Sequence, residues 1–246
     1  MKRIETPAIV CALLSHGEHG AVVRLMTPDH GLQAGYVRGA RGRRMRPILI
    51  PGNLVQARLS ARTDAQLAQA EVELTHSRGP LLSEALSAAA IEWVTALTAT
   101  ALPEAQPYPR LYQALDGLLS AIEAAPAASG WGTALVRYEL LFLAELGFGL
   151  DLESCVVSGT SEGLVAVSPR SGRAVSAAQA EAYKEKLLPL PQFLLGGGGA
   201  SWPDIIDGLR LTRHFLTRDL LTERSATLLD GRERLVDRLR RAAGVA

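Results

Sequence analysis

Cysteine is almost absent from this 246-residue chain, in which Cys11 and Cys155 are the two thiols. Two cysteines so far apart argue against a disulfide framework or an all-cysteine zinc site, and they favour a reducing compartment. Apolar runs are short as well: Glu145 interrupts the richest one, residues 140–150, whereas a membrane-spanning helix needs roughly 18 apolar residues. The first residues lack the apolar segment of a signal peptide. We therefore expect a cytoplasmic protein without a membrane partner.

Lysine is scarce too, since only three of the 26 basic residues are lysines. Arginine carries a planar, permanently charged fork that suits phosphate groups. The net charge is +1, but the charges are segregated along the chain. Basic and acidic side chains number eleven and six in residues 1–80, six and fourteen in residues 81–207, and nine and five in residues 208–246. Both ends of the chain are therefore basic, and the middle is acidic.

The first 75 residues contain five short stretches in which apolar and polar side chains alternate, a pattern that predicts β-strands with one polar face. The predicted strands cover residues 8–14, 21–27, 32–38, 54–61 and 67–75. Short antiparallel strands must close on themselves or expose long edges. The sequence therefore predicts a small closed barrel of the OB type over residues 1–78.

From residue 81 onward the apolar period changes to that of helices. The predicted helices cover residues 81–101, 108–124, 132–146, 202–222 and 225–242. Between the third and fourth helices, residues 164–168 and 173–176 predict a β-hairpin around a Pro-Arg-Ser-Gly turn. We therefore predict an α+β protein, in which residues 79–246 form a helical domain with a small β insert at about residues 155–176.

The strongest local feature is a run of five arginines in nine residues without an acidic neighbour: Arg38, Arg41, Arg43, Arg44 and Arg46. Such a cluster on a small barrel is typical of a track for the phosphates of single-stranded nucleic acid. Tyr36 is the one aromatic residue of the barrel region, so we expect binding to depend on phosphate more than on base identity. The alternative is a solvated, partly disordered loop.

The fourth predicted helix carries a second basic stripe. Its members, which fall within an arc of about 140° on a helical wheel, are Arg210, Arg213, His214, Thr217 and Arg218. The stripe predicts a second DNA-binding surface. The alternative is the solvent-exposed face of an amphipathic helix, on which Asp219 and Glu223 pair with the arginines.

The third predicted helix is apolar nearly all round, and Arg137 is its one cation. Arg137 shares a side of the helix with Leu140 and Leu141, which predicts an apolar groove with a guanidinium at its rim. Such a groove suits an acidic peptide tail that ends in a carboxylate. The alternative is that Arg137 pairs with Glu92 or another acid.

Three interpretations, as a hydrolase, as a metal site and as a nucleotide-binding loop, are weaker. Residues 159–163 match the G-x-S-x-G motif around Ser161, with Asp204 and His214 in the chain order of a hydrolase, but a predicted strand follows the serine where that motif needs a helix. His16, His19 and His30 lie near two turns without a thiolate or paired carboxylates, so turn polarity is the better explanation. The glycines at 196–199 are not followed by the Lys and Ser/Thr of a P-loop, so they predict a flexible connector.

Several segments match, in order, those of a known family. They are Gly17-Glu18, residues 23–27 with Gly31, residues 38–41, residues 138–141 with 146–148, Cys155 and residues 232–235. The chain resembles the RecO family of bacterial DNA recombination and repair proteins, and the resemblance runs through most of its length.

The resemblance implies a recombination mediator without a catalytic centre, cytoplasmic and associated with the nucleoid. Proteins of this family bind single- and double-stranded DNA, anneal complementary strands, contact the C-terminal tail of the single-stranded-DNA-binding protein, and act with RecR to load RecA. For this chain it implies DNA contact by the five clustered arginines, and contact between Arg137 and the carboxylate of the partner's tail.

Some family members hold zinc with paired cysteines in the inserted β region. Here Cys155 stands alone, and residues 156–176 contain no other thiol, so we expect no structural zinc and no other cofactor. Two further functions stay open: an RNA-binding barrel, because an arginine loop does not distinguish a 2′-hydroxyl, and a non-catalytic protein scaffold.

Overall fold

A computed structural model describes residues 2–63, 66–125, 127–221 and 225–244 of the chain. The chain forms two compact units, residues 1–124 and residues 125–246. The first unit contains a β-barrel and two helices, and the second contains helices and a small sheet. The domain boundary between residues 78 and 79 stays a prediction.

Five strands build the barrel. They are β1 (Lys2–His16), β2 (Gly20–Thr27), β3 (Gly31–Val37), β4 (Leu54–Ala61) and β5 (Ala68–His76). The barrel closes in the order β1-β2-β3-β5-β4. Strands β3 and β5 run parallel, whereas the other neighbours are antiparallel. The predicted five-stranded OB-type barrel is confirmed.

Glycine permits the closure of the barrel at the short contact between β3 and β5. The two strands pair at Gly35 with Ala68 and at Tyr36 with Gln69. A Cβ atom at Gly35 would lie 2.6 Å from the Cβ of Ala70 and 2.7 Å from Cδ2 of Leu59. Because both neighbours belong to the barrel core, a larger residue at position 35 would push the strands apart.

Strand β1 begins at Lys2, six residues earlier than predicted. Its first half pairs with β4 and its second half with β2, and the register shifts between Val10 and Ala12. The first half shows the expected alternation, since Ile4 and Thr6 are buried and Glu5 is exposed. Pro7 lies in this half, which among the described residues has only β4 as a neighbour, and proline is tolerated at such edges.

Two helices complete the first unit: α1 (Ala85–Ala101) and α2 (Pro109–Ala124). The prediction placed the start of α1 at residue 81 and was wrong. Residues Gly79–Ser83 form a 3-10 helix with a proline in its first turn, because proline suits a helix start and lacks the N–H of an interior position.

Within its described ranges, the second unit contains five α-helices and three short strands, besides short 3-10 and π-helical turns. In chain order they are α3 (Gly132–Glu145), β6 (Leu164–Val167), β7 (Ala174–Ser176), α4 (Ala177–Ala180), β8 (Leu188–Pro189), α5 (Phe193–Gly196), α6 (Trp202–Phe215) and α7 (Ala226–Ala242). The strands form one sheet in the order β7-β6-β8. The predicted hairpin is present as β6 and β7, but the insert is larger than predicted because β8 adds a third strand.

Helix α6 begins as expected and ends early. Ser201 and Asp204 form the predicted capping box. The α-helix ends at Phe215 and continues as a π-helical turn, Leu216–Leu220, in which the N–H of Leu221 donates to the carbonyl of Leu216. The predicted end at residue 222 is therefore wrong, since Leu221 is already extended.

A buried ion pair joins three helices of the second unit. Arg232 of α7 and Glu139 of α3 are almost completely inaccessible to solvent, and their side chains form a bidentate pair with distances of 2.8 and 2.7 Å. Thr212 of α6 also donates to Glu139.

Within the part of the chain that the structure describes, none of the helices has both the length and the apolar character of a membrane span.

Candidate nucleic-acid interface

The five clustered arginines occupy a folded loop between β3 and β4, which we call the basic loop (residues 38–46). Its backbone forms successive turns, in which the N–H of Gly42 donates to the carbonyl of Gly39 at 2.9 Å and that of Met45 to Gly42 at 3.1 Å. Gly39 has a φ of +67°, a conformation that favours glycine. All five arginine side chains are exposed.

Apolar residues anchor the basic loop to the barrel. Ala40 and Leu49 are buried in the barrel core, and Met45 and Ile48 pack against it. These contacts fix the inner side of the loop, so the arginines between them point towards solvent. The arrangement is a packed succession of turns and differs from the alternative of a partly disordered loop.

The arginines of the basic loop have no acidic partner in the described part of the chain. In the described part of the chain, Nη1 of Arg41 donates to the backbone carbonyl of Glu18 at 3.3 Å. Elsewhere in this unit Arg24 pairs with Glu104 at 2.8 Å, and Arg58 with Glu5 at 3.2 Å. The basic loop therefore presents five uncompensated charges on one stretch of nine residues.

A groove of about 360 Å³ runs beside the basic loop. Arg44, Met45 and Ile48 line one side, and residues of β4 and β5, including Glu71 and Glu73, line the other. Carboxylates repel phosphate, so the loop side of the groove is the favourable one for a polyanion.

Tyr36 offers this barrel limited stacking surface. Its ring lies across Gly20, where a Cβ would come within 2.2 Å of Oη, and its edge meets His16 at a centroid distance of 5.7 Å. Base-independent binders gain about 1–3 kcal/mol from each stacked base. Because the first 78 positions contain a single aromatic residue, phosphate contacts offer this barrel more binding energy than base stacking does.

The predicted stripe lies on α6 and on the π-helical turn that follows it, and its three arginines are exposed but partly neutralised. Arg213 pairs with Glu233 at 2.6 Å, and Arg218 pairs with Asp219 at 2.7 Å and donates to the carbonyl of Pro169. Arg210 has no ion pair within the described ranges, although it lies near Asp207, whose pKa is raised by partial burial. The pair between Arg218 and Asp219 agrees with the alternative of an amphipathic helix whose arginines pair with acids. Glu223, the other acid of that alternative, lies outside the described residues. A DNA-binding role for this stripe stays a prediction.

Arg137 is exposed on α3 and, among the described residues, forms no ion pair with Glu92 or another acid. Its Nη2 donates to the backbone carbonyl of Phe193 at 2.9 Å, and its guanidinium lies 5.7 Å from the centre of the Phe193 ring. Leu140 and Leu141 beside it are partly exposed. The predicted combination of a cation and an apolar strip is therefore present, and its role in binding a peptide tail stays a prediction.

The hydrolase interpretation fails in the structure. Asp204 is occupied in the capping box at the start of α6, whereas His214 lies ten residues further along and contacts the carbonyl of Pro169 at 3.0 Å. Ten helical residues span about 15 Å, so the two side chains do not meet as catalytic partners. The residue after Ser161 does not begin a helix either, since β6 follows at Leu164.

The histidines do not assemble a metal site. Within the ranges that the structure describes, no three His, Cys, Asp or Glu side chains come together in a way that could hold a metal ion. Cys155 is buried as a free thiol.

The fold and this surface define an OB-type barrel protein with a helical second part and a loop of five exposed arginines. Comparison with known proteins identifies the family. Residues 1–78 match the family model for the Recombination protein O N terminal region, and residues 83–226 match that for the Recombination protein O C terminal region.

Curated relatives agree along nearly the whole chain. The DNA repair protein RecO of Rhodospirillum centenum is 42% identical over 238 residues, which cover 96% of this chain and 94% of the relative. That of Caulobacter vibrioides strain NA1000 is 41% identical over 241 residues, 97% of this chain and 98% of the relative. The chain belongs to the RecO family of DNA repair and recombination proteins.

Proposed function

We propose that this protein is a non-catalytic recombination mediator that binds and anneals single-stranded DNA. In this proposal it acts with RecR to load RecA onto DNA coated by the single-stranded-DNA-binding protein. The single observation that carries the proposal is the basic loop, where five exposed arginines have no acidic partner among the described residues. Family membership supports a function in DNA repair.

Guanidinium groups without an ion pair are available for contact with the phosphates of DNA. An arginine that already pairs with a carboxylate must exchange one anion for another, whereas a free guanidinium gains a phosphate and releases a counterion. The spacing of Arg38, Arg41, Arg43, Arg44 and Arg46 along one loop suits successive phosphates of one strand.

Annealing requires two strands to approach each other despite the repulsion of their phosphates. We propose that the basic loop holds one strand, and that Arg210, Arg213 and Arg218 contribute a second, weaker surface. The ion pair of Arg213 with Glu233 is solvent-exposed and therefore contributes little energy, so phosphate can compete for this guanidinium group. Arg218 is held more firmly, because Asp219 is largely buried.

We further propose that Arg137, Leu140 and Leu141 bind the C-terminal tail of the single-stranded-DNA-binding protein. Arg137 donates one N–H to the carbonyl of Phe193. Because a guanidinium has five N–H groups, others can donate to a carboxylate. The proposal includes no structural zinc and no other cofactor.

The test compares the wild-type protein with a variant in which the five loop arginines are glutamine. We expect the wild type to bind a fluorescent single-stranded DNA oligonucleotide and the variant to lose most of that affinity. The matched control replaces five arginines outside the loop and its groove: Arg110, Arg173, Arg234, Arg240 and Arg241. Equal loss in both variants would contradict a specific role for the loop.

Competition with an RNA oligonucleotide of the same sequence separates DNA binding from RNA binding. Preferential displacement by RNA would favour an RNA-binding barrel. Retained repair activity in cells that carry the glutamine variant would instead favour a protein scaffold.

A further inference from the structure

Asn53 is completely buried directly before β4, seven residues after the last arginine of the basic loop. Its side-chain nitrogen Nδ2 donates to the carbonyls of Pro47 at 2.9 Å and of Ile48 at 3.0 Å. Pro47 follows Arg46 directly, so this amide holds the backbone at the end of the basic loop.

Every other polar atom of Asn53 is also used. Its Oδ1 accepts the backbone N–H of Arg78 at 2.8 Å. Its own N–H donates to Ile50 at 3.1 Å, and its carbonyl accepts from Val10 of β1 at 3.0 Å. The residue therefore connects the segment that follows the basic loop to β1 and to the segment that follows β5.

The geometry requires an amide at this position. Two donors and one acceptor are needed within one planar group of this length, and asparagine supplies them. Aspartate would keep the acceptor towards Arg78 but would face the carbonyls of Pro47 and Ile48 with an oxygen. An alanine would leave both carbonyls, whose contacts with Asn53 are partly buried, without their donor.

Arg78 holds the same turn from the other side. It is almost completely buried, and its Nη1 donates to the carbonyl of Gly52 at 2.8 Å. Its Nη2 contacts Oδ1 of Asp116 on α2 at 3.2 Å. Helix α2 thus fixes Arg78, and Arg78 fixes the turn that contains Asn53.

We propose that Asn53 is a positioning residue for nucleic-acid binding, which fixes the end of the basic loop so that its five guanidinium groups meet a strand as a preformed set. The inference rests on the proposed function, because it assigns Asn53 to the same surface. Ordering a loose loop on binding costs conformational entropy for every residue that is fixed. A loop held in place beforehand avoids that cost.

The test uses Asn53→Asp and Asn53→Ala, with Thr27→Val as the matched control. Thr27 is also completely buried, and its hydroxyl donates to the carbonyl of Gly31 at 2.8 Å in the turn between β2 and β3. The control therefore removes a buried turn contact of the same barrel without touching the basic loop.

Two measurements separate positioning from general destabilisation. Limited digestion with trypsin, which cleaves after arginine, should cut residues 38–46 several-fold faster in both Asn53 variants than in Thr27→Val. Both Asn53 variants should bind a single-stranded oligonucleotide about tenfold more weakly, which equals about 1.4 kcal/mol. Their dependence on salt should stay that of the wild type, because all five arginines remain.

Wild-type cleavage rates and affinity in both Asn53 variants would overturn the inference, as would equal effects in Thr27→Val. If neither Asn53 variant folds, hydrogen exchange of the wild type decides. The amides of Arg46 and Leu49, which donate to Gly42 and Met45, should then exchange as slowly as those of β4, and fast exchange would contradict the positioning role of Asn53. Failure of the proposed function is distinguishable, since the variant without loop arginines would then bind DNA like the wild type.

Discussion

Glu139 and Arg232, 93 residues apart in the chain, form a buried bidentate ion pair between α3 and α7. Neither side chain is more than 1% exposed, and the hydroxyl of Thr212 on α6 adds a third helix to the contact. Both residues lie in segments that carry the resemblance to the RecO family, Tyr138-Glu139 and Arg232-Glu233. The pair fixes how three helices of the second unit meet.

Removal of one partner of this pair should destabilise the second unit strongly. We expect Arg232→Ala to lower the free energy of unfolding by about 3–5 kcal/mol, because it leaves the Glu139 carboxylate buried without its cation. Urea unfolding followed by circular dichroism measures the effect. Arg240→Ala is the control, since Arg240 is exposed in its pair with Asp237 at 3.3 Å, and it should cost at most about 1 kcal/mol. Similar values for both variants would contradict the assignment.

Arg137→Ala should weaken binding of an acidic peptide that ends in a free carboxylate by about tenfold. A hydrogen bond to a charged group contributes about 1.5–3 kcal/mol, and the alanine removes the one cation beside Leu140 and Leu141. Fluorescence anisotropy with a labelled peptide measures the affinity. Arg173→Ala is the control, because Arg173 already pairs with Asp151 at 3.1 Å. An unchanged affinity for Arg137→Ala would remove this residue from the tail-binding site.

Replacement of Arg210, Arg213 and Arg218 with glutamine should slow the annealing of complementary strands several-fold and change single-strand affinity little. Glutamine is the cleaner substitution, because a carboxylate at position 213 or 218 would face Glu233 or Asp219. The annealing rate of two labelled oligonucleotides is the measurement, and Arg240→Gln with Arg241→Gln on α7 serves as the control. If annealing proceeds at the wild-type rate, the two-surface model is wrong.

The stability of the first unit should depend on pH through Cys11. Burial raises the pKa of its thiol to about 12, whereas an unfolded cysteine titrates near about 8.5. Above that pH the unfolded state has lost a proton that the folded state keeps, so stability falls as pH rises, by up to about 1.4 kcal/mol per pH unit. Urea unfolding between pH 8 and pH 10.5 should show this slope for the wild type and a shallower one for Cys11→Ala. Parallel curves would contradict a buried neutral thiol.

The sequence was sufficient for the barrel because its strands alternate clearly and its turns carry glycine and proline. Four of the five predicted strands agree with the structure to within a residue or two, and β1 was underestimated because Pro7 resembled a strand boundary. The two-residue strand β8 is too short to show any periodicity. The end of α6 was misplaced because apolar residues such as Leu216 continue the helical pattern through the π-helical turn.

The candidate site was predictable in its composition and unpredictable in its contacts. The density of arginines in residues 38–46 is visible in the sequence, but the absence of acidic partners depends on chain segments far from the loop. Arg137 contacts the carbonyl of Phe193, 56 residues away, and a backbone acceptor leaves no trace in side-chain patterns. Asn53 was missed for the same reason, since two of its three side-chain partners are backbone carbonyls and the third is a backbone N–H.

The dependence of single-strand affinity on salt tests the central claim most directly. If the basic loop contacts about five phosphates, the logarithm of the binding constant should fall with the logarithm of salt concentration with a slope near −3.5. The variant with glutamine at the five loop positions should show a slope that is shallower by about that amount. Equal slopes for the two proteins would contradict the claim that these arginines hold the polynucleotide by its phosphates.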